Sequence, residues 1–599
     1  MKKNQITARL IRTLEISPPL KEILLSSGSV DEKRKRISLF LGDMLDAIFY
    51  DDETAPPLEW VLKRDAIRVL RSIFSPRSER RAGHSFLEYI NDLLHRDDLK
   101  NLERPEQGFF AELEHLLKGL MGKTGIYPKT VPAFSRHEGK KAALLRSADL
   151  SRMARSARQI MDGYPCGLDH AVIKRRSKNK ARILRYFNAT ELEWENWKWH
   201  TKHIIRSIDT LSKLIQLTEE EYEAVRLARA FKIPFGITPY YLSLMDYRAE
   251  RVRDRAVRAQ VIPSLNYVLQ MKKLKDDQEH SMDFMLERDT SPIEGITRRY
   301  PMIVILKPIL TCPQICVYCQ RNWEIEDVYS PNAALGEKKL AKAIQWISDT
   351  PEISEVLITG GDPLLLSNAK IENLLFRLSK ISHVERIRIG TRTPVTLPQR
   401  ITDSLVRDIN HFHNPGKREI LVVTHFEHPY EITPEAMRAV QKFRRYGMEV
   451  CNQMVYTTYN SRKFEAAALR MKLKSIGVSP YYTFNTKGKE ETDDYRVPIP
   501  RLLQEQQEEA RLLPGSVRTD EIVFNVPGLG KNYLRAVQNR DIISILPNGS
   551  RVYEFHPWEK KLTLADTYVY TDVPITNYLR RLKILGEDIS RYRTIWYYY

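Results

Sequence analysis

Residues 308–323 read PILTCPQICVYCQRNW and follow directly on the apolar run Met302–Leu306. A short run rich in Ile and Val and bounded by prolines reads as a buried strand. The loop leaving its C-terminal end then carries Cys312, Cys316 and Cys319 in the spacing C-x3-C-x2-C. Three thiolates can hold three irons of a [4Fe–4S] cluster and leave the fourth iron open to bind a small molecule. The competing readings are three buried cysteines, or a zinc site short of one ligand. Four-cysteine zinc sites usually pair two CxxC knuckles, and no second knuckle is present.

Beyond this loop, strand-like and helix-like runs alternate. The expected strands are Glu355–Thr359, Arg386–Gly390, Ile420–Phe426, Glu449–Tyr456 and Pro480–Phe484. Helical runs at 335–348, 368–380, 402–411, 433–446 and 463–475 separate them. With Met302–Leu306 the pattern predicts an α/β fold, a partial (β/α)6 barrel with helices outside. In such barrels the site gathers at the C-terminal strand ends. Those ends carry Cys312–Cys319, Gly360-Gly361-Asp362, Thr391-Arg392, His425 and Asn485–Lys487. Further on, 521–533 offers a strand and a Gly-rich loop, and 541–555 reads as a hairpin turning at Asn548-Gly549.

At 599 residues the chain is long enough for several domains. Five cysteines, three of them in one loop, do not make a disulfide framework, so a reducing cytoplasm is expected. The N-terminus lacks an apolar h-region, and no run approaches a membrane span. The net charge is +19, and residues 136–185 hold 14 Lys or Arg against 4 Asp or Glu. We read that excess as solvated helix surface or linker rather than a nucleic-acid interface, because no named motif accompanies it. Residues 1–130 look helical over Arg34–Phe49, Leu58–Ile73 and Phe109–Met121, and Thr190 is placed to cap a helix starting at Glu191. The expected organisation is a helical, basic extension over 1–190, a helical lead-in over 191–300, the barrel over 301–490, and a lysine loop with hairpin over 491–599.

From about Trp194 to Glu559 the chain resembles the lysine 2,3-aminomutase family, enzymes of the radical S-adenosylmethionine (SAM) superfamily that also use pyridoxal phosphate (PLP). The resemblance rests on the cysteine loop and on HVERIRIGTRTPVTLPQRIT (383–402), VVTHFEHPYEIT (422–433) and NQMVY (452–456). It implies a radical SAM barrel in which Cys312, Cys316 and Cys319 ligate the cluster. Gly360, Gly361, Asp362, His425 and Gln453 would meet SAM. Lys531, after Pro527-Gly528-Leu529-Gly530, would carry PLP, with Arg299, Tyr300 and Arg392 or Arg400 toward its phosphate. Where the family has a further arginine, this chain has Ile303. Arg321 would hold the substrate α-carboxylate. The family's C-terminal zinc cysteines are missing, so no zinc is expected.

The implied reaction is a 2,3-amino shift on an amino acid held by PLP, with hydrogen removed from Cβ and later returned. It needs an external electron donor to reduce the cluster; a homo-oligomer stays open. Lysine-acting members receive the distal ammonium on two aspartates. Their counterparts here are Lys487, in the run from Tyr481-Tyr482, and Asn525, so L-glutamate is the expected substrate. The rival readings are a lysine 2,3-aminomutase, a radical SAM enzyme acting on a macromolecule docked at 136–185, and a non-catalytic role for the N-terminal helices.

Overall fold

A computed structural model describes residues 3–50, 57–96, 98–127, 132–249, 253–277, 282–283, 285–325, 327–330, 332–486, 490–528, 530–556 and 567–599. The chain forms two compact units. One comprises Arg158–Tyr495 with Leu513–Gly530; the other comprises Met1–Ala157, Arg496–Leu512 and Lys531–Tyr599.

The strands are β1 (Ile296–Thr297), β2 (Ile303–Ile309), β3 (Glu355–Gly360), β4 (Arg386–Gly390), β5 (Glu419–Thr424), β6 (Glu449–Tyr456), β7 (Ser479–Asn485), β8 (Glu521–Val526) and β9 (Gly530–Tyr533). Their order in the sheet is their order in the chain, and the sheet does not close. β2 to β8 pair in parallel, while β1 runs antiparallel to β2. The helices Glu337–Ser348, Asn368–Ser379, Asp403–Asn410, Pro434–Arg445 and Glu465–Ser475 fall between successive strands. This is the partial barrel that the β/α alternation predicts, left open and extended by β8 as a seventh parallel strand, and its elements lie within a few residues of the expected ones.

Side chains of each strand alternate between two faces. Val304, Leu306, Val356, Ile358, Ile387, Ile389, Ile420, Val422 and Val450 are buried on one face. Register then fixes the other. Ile305 faces Leu357, Leu357 faces Arg388, Arg388 faces Leu421, and Val423 faces Cys451. Between β6 and β7 the register shifts: Asn452 pairs with Pro480, but Gln453 pairs with Tyr482. Tyr481 is the extra residue, and such a bulge changes which side chains of β7 share a face. Tyr482 pairs with Glu521, so Gln453, Tyr482, Glu521, Val523 and Asn525 stand on one face of the sheet.

In the other unit, helices Val30–Tyr50, Pro57–Ile73 and Gln107–Leu120 accompany an antiparallel sheet of β10 (Arg540–Ile545), β11 (Arg551–Phe555) and β12 (Tyr568–Thr571). The turn between β10 and β11 has Gly549 at φ +88°, as the Asn-Gly pair predicts. A Cβ on Gly108 would lie 2.3 Å from the Asn548 carbonyl oxygen, so helix and turn are in backbone contact. Arg551 donates to Glu112 at 3.0 Å and to the carbonyls of Trp596 and Tyr598 at 2.6 and 2.7 Å. Trp596 stacks on His115 with centroids 4.7 Å apart. The Trp-Tyr-Tyr-Tyr ending is therefore part of this unit's core.

The helix Gly139–Met161 is buried only at Ala157, where the segment Met1–Ala157 of this second unit ends. Thr190 caps Glu191–Trp194 in a reciprocal pair with Glu193. Among the described residues no helix is long and apolar enough to cross a membrane.

Candidate active site

The cysteine loop leaves the C-terminal end of β2 and is fixed by backbone hydrogen bonds. Ile315 N–H donates to the Gly236 carbonyl at 3.1 Å and Val317 N–H to that of Gln260 at 2.9 Å. Tyr329 N–H donates to the Cys312 carbonyl at 3.2 Å. All three cysteines are half-buried as residues. Burial pushes the Cys312 thiol well up and the Cys316 thiol up, and Arg392 opposes the second shift. Among the described residues no group of three His, Cys, Asp or Glu could share one metal ion. A cluster makes no such demand, because each thiolate takes its own iron.

Gly360 ends β3 and Gly361 follows it, both against the start of this loop. A Cβ on Gly361 would sit 2.2 Å from the Thr311 carbonyl oxygen, and Gly360 has φ +109°. No larger residue fits that approach. Asp362, 4% exposed, accepts from the Thr391 hydroxyl at 2.6 Å and from the N–H groups of Arg392 and Leu364 at 3.0 and 3.1 Å. Its carboxylate thus ties the end of β3 to the end of β4.

His425 follows β5. Burial, with Arg392 nearby, pushes its pKa down to about 4 against a hydrogen bond to the Gln453 backbone, so the ring is neutral at physiological pH. Arg392 donates to Cys316 Sγ at 2.8 Å, to the His425 carbonyl at 3.1 Å and to Glu431 at 2.8 Å. It also reaches Gln260. These neighbours differ from a phosphate subsite, as do those of Arg400, which donates to the carbonyls of Leu364 and Leu366.

Arg321 lies against Glu287, with Nε to Oε2 at 3.3 Å and Nη2 to Oε1 at 3.1 Å. Lys307 bonds Glu324 and stands 3.8 Å from Glu287. Glu287 is 1% exposed. Burial alone would raise its pKa, but Arg321, Lys307 and Arg299 hold it below the usual range, so it is charged. Lys307 and Glu324 also line a cavity of about 540 Å³ with Arg288 and Trp323, within the size of small-molecule sites. Sequence reasoning missed Glu287, Lys307 and Glu324; charged residues inside a strand and beside the cysteine loop were the available signal.

Arg299 makes no hydrogen bond or ion pair among the described residues, and burial lowers its pKa. Asn525 is 6% exposed, and its Oδ1 has no hydrogen-bond partner among the described residues. Lys487 lies outside the described residues. Lys531 is the second residue of β9, half-buried, and belongs to the other unit. Gly528 and Gly530 before it have φ +69° and +82°.

The profile of the radical SAM superfamily matches residues 306–470, from β2 into the helix after β6. The chain is 44% identical over 606 residues to an uncharacterized KamA family protein of Methanocaldococcus jannaschii, covering 97% of this chain and 96% of that one. It is 37% identical over 327 residues to glutamate 2,3-aminomutase of Clostridioides difficile, covering 54% and 72%. Identity to L-lysine 2,3-aminomutase of Fusobacterium nucleatum subsp. nucleatum is 35% over 318 residues, covering 53% and 71%.

An open parallel barrel with a C-x3-C-x2-C loop at its first long strand defines a radical SAM enzyme. Within that class the chain belongs to the KamA family of aminomutases, isomerases whose cofactors are a [4Fe–4S] cluster, SAM and PLP. The residues present fit these groups: three thiols on one braced loop, with N–H donors already on the sulfurs of Cys316 and Cys319, and a partly buried Arg299 that no carboxylate bonds among the described residues.

Proposed function

We propose that the chain is an amino acid 2,3-aminomutase acting on L-glutamate and giving β-glutamate. The observation that carries the choice of substrate is Asn525. It puts a buried amide on the sheet face of Gln453, at a position where lysine-acting members of the family are expected to carry an aspartate. An amide cannot balance a buried ammonium, whereas its N–H2 can donate to a carboxylate. Lys487 would supply the matching charge.

Cys312, Cys316 and Cys319 would hold the cluster. The backbone of Gly360 and Gly361, the neutral ring of His425 and the Gln453 side chain would line the SAM site, and Asp362 would keep its strand ends in place. Arg299 and Tyr300 would take the PLP phosphate and Lys531 its carbonyl carbon. When bound, PLP supplies the electron-accepting system through which nitrogen moves between neighbouring carbons. The protein's part is orientation and exclusion of water. Arg321 would grip the α-carboxylate with Nη1 while Glu287 keeps its other edge, fixing Cβ for hydrogen removal.

Anaerobic incubation with SAM, reductant, PLP and each amino acid tests the proposal. β-Glutamate is the expected product, and β-lysine without β-glutamate would refute the assignment. Lys487→Asp should lose glutamate turnover.

A further inference from the structure

Arg392 sits where the proposed cluster and SAM sites meet, and its contacts account for its whole guanidinium. Nη1 donates to Cys316 Sγ at 2.8 Å, and Nε to the carbonyl of His425 at 3.1 Å. Nη2 donates to Glu431 at 2.8 Å and also meets Gln260 and the Tyr241 hydroxyl. Tyr241 in turn donates to Glu431 at 2.6 Å. Tyr241 and Glu431 are fully buried. Among the described residues Glu431 is the one carboxylate that bonds the guanidinium, and its Oε2 is already taken by the N–H groups of Glu427 and His428.

We infer that Arg392 sets the reduction potential of the cluster held by Cys312, Cys316 and Cys319, an inference resting on the family assignment of those cysteines. One-electron reduction adds a negative charge to a cluster already bound by three thiolates. A buried cation hydrogen-bonded to one ligand sulfur stabilises the reduced form more than the oxidised one. N–H donors to the sulfurs and local charge are recognised determinants of such potentials. The low-dielectric surroundings make the effect larger than at a surface. Glu431 works in the opposite sense, by sharing the positive charge, while Gln260 and Tyr241 fix the guanidinium plane.

The opposed signs give the test. The full chain is reconstituted anaerobically with iron and sulfide, and its potential is read by EPR-monitored redox titration without SAM or amino acid. Arg392→Gln is expected to lower the ratio of reduced to oxidised cluster at a fixed potential about tenfold, a shift of about 59 mV for a one-electron couple. Glu431→Gln, which keeps an acceptor but removes the counter-charge, should raise the ratio, and Arg392→Lys should fall between wild type and Arg392→Gln. Equal potentials in all variants with normal iron content, or shifts of Arg392→Gln and Glu431→Gln in the same direction, would overturn the inference. If Arg392→Gln takes up no iron, Glu431→Gln alone decides, since an unshifted potential there is equally fatal. Absence of any cluster in the unsubstituted chain would instead overturn the cysteine assignment.

Discussion

Glu287 holds Arg321 side-on. Its two carboxylate oxygens accept from Nε and Nη2 at 3.3 and 3.1 Å, and Nη1 is left without a hydrogen bond among the described residues. The partners lie 34 residues apart in sequence, on either side of β2. Hydrogen bonds to charged groups contribute about 1.5–3 kcal/mol. Glu287→Ala is therefore expected to raise the KM for the amino acid roughly tenfold to a hundredfold, with iron content unchanged. Glu287→Gln, which keeps one acceptor, should recover part of the loss. An unchanged KM in both variants would show that the carboxylate does not position Arg321.

Replacing Cys312, Cys316 or Cys319 with alanine should in each case abolish 5′-deoxyadenosine formation and lower bound iron. Cys166→Ala should do neither, because that buried cysteine is outside the loop and its thiol meets the Leu168 backbone and the Asp169 carboxylate. Iron analysis and product quantification decide it. Full SAM cleavage in any of the three loop variants would contradict the assignment.

Lys531→Ala is expected to lose the borohydride-reducible PLP adduct and retain the iron signal. Peptide mapping of the reduced wild-type protein should find the adduct on residue 531. Finding it on another lysine would remove Lys531 from the site.

Asp572 gives a pH dependence to the unit that contains it. Burial pushes its pKa up to about 7, against hydrogen bonds from the N–H groups of Ile499 and Val573. An unfolded aspartate has a pKa near 3.9. The folded form therefore binds the proton more tightly, so this contribution is full below about pH 4 and is lost as pH rises through about 7. Asp572→Asn should flatten that part of the stability-versus-pH curve, read by thermal unfolding between pH 4 and 8. An unaltered slope would refute it.

Glu112 and Arg551 form a buried pair, 2% and 3% exposed. Removing one charge strands the other, at a cost of about 3–5 kcal/mol. Glu112→Ala should lower the midpoint of this unit's unfolding, whereas Arg551→Met with Glu112→Leu should be closer to wild type. Equal stability of Glu112→Ala and wild type would contradict this.

Much of the barrel was legible because strand and helix periodicities alternate through it. β4 and β6 occupy the spans their sequence predicts, and Asn548-Gly549 marks its turn through local backbone chemistry alone. The contacts that shape the site were not legible. Arg392 meets Cys316 across 76 residues, and Arg321 meets Glu287 across 34. Such pairs are set by tertiary packing, and nothing local distinguishes these arginines from others. The bulge at Tyr481 likewise leaves no mark in the β-pattern, yet it decides which residues of β7 share a face with Gln453. The aromatic ending had no reading until its rings were seen beside His115 and Arg551.

That ending has a consequence for how the protein is made. The helices of residues 3–120 are translated well before the sheet β10–β12, on which Pro57–Ile73 packs, and before the tail gripped by Arg551. At about 5–20 residues per second, the early helices wait roughly half a minute to a minute and a half for their partners. The last parallel strand of the barrel, β8, is complete by Val526, before any strand of the sheet β10–β12 has been made. During that interval Leu70, fully buried in the finished fold, sits on a helix that still lacks the strand β10 it packs against, which makes that helix a natural client for a chaperone.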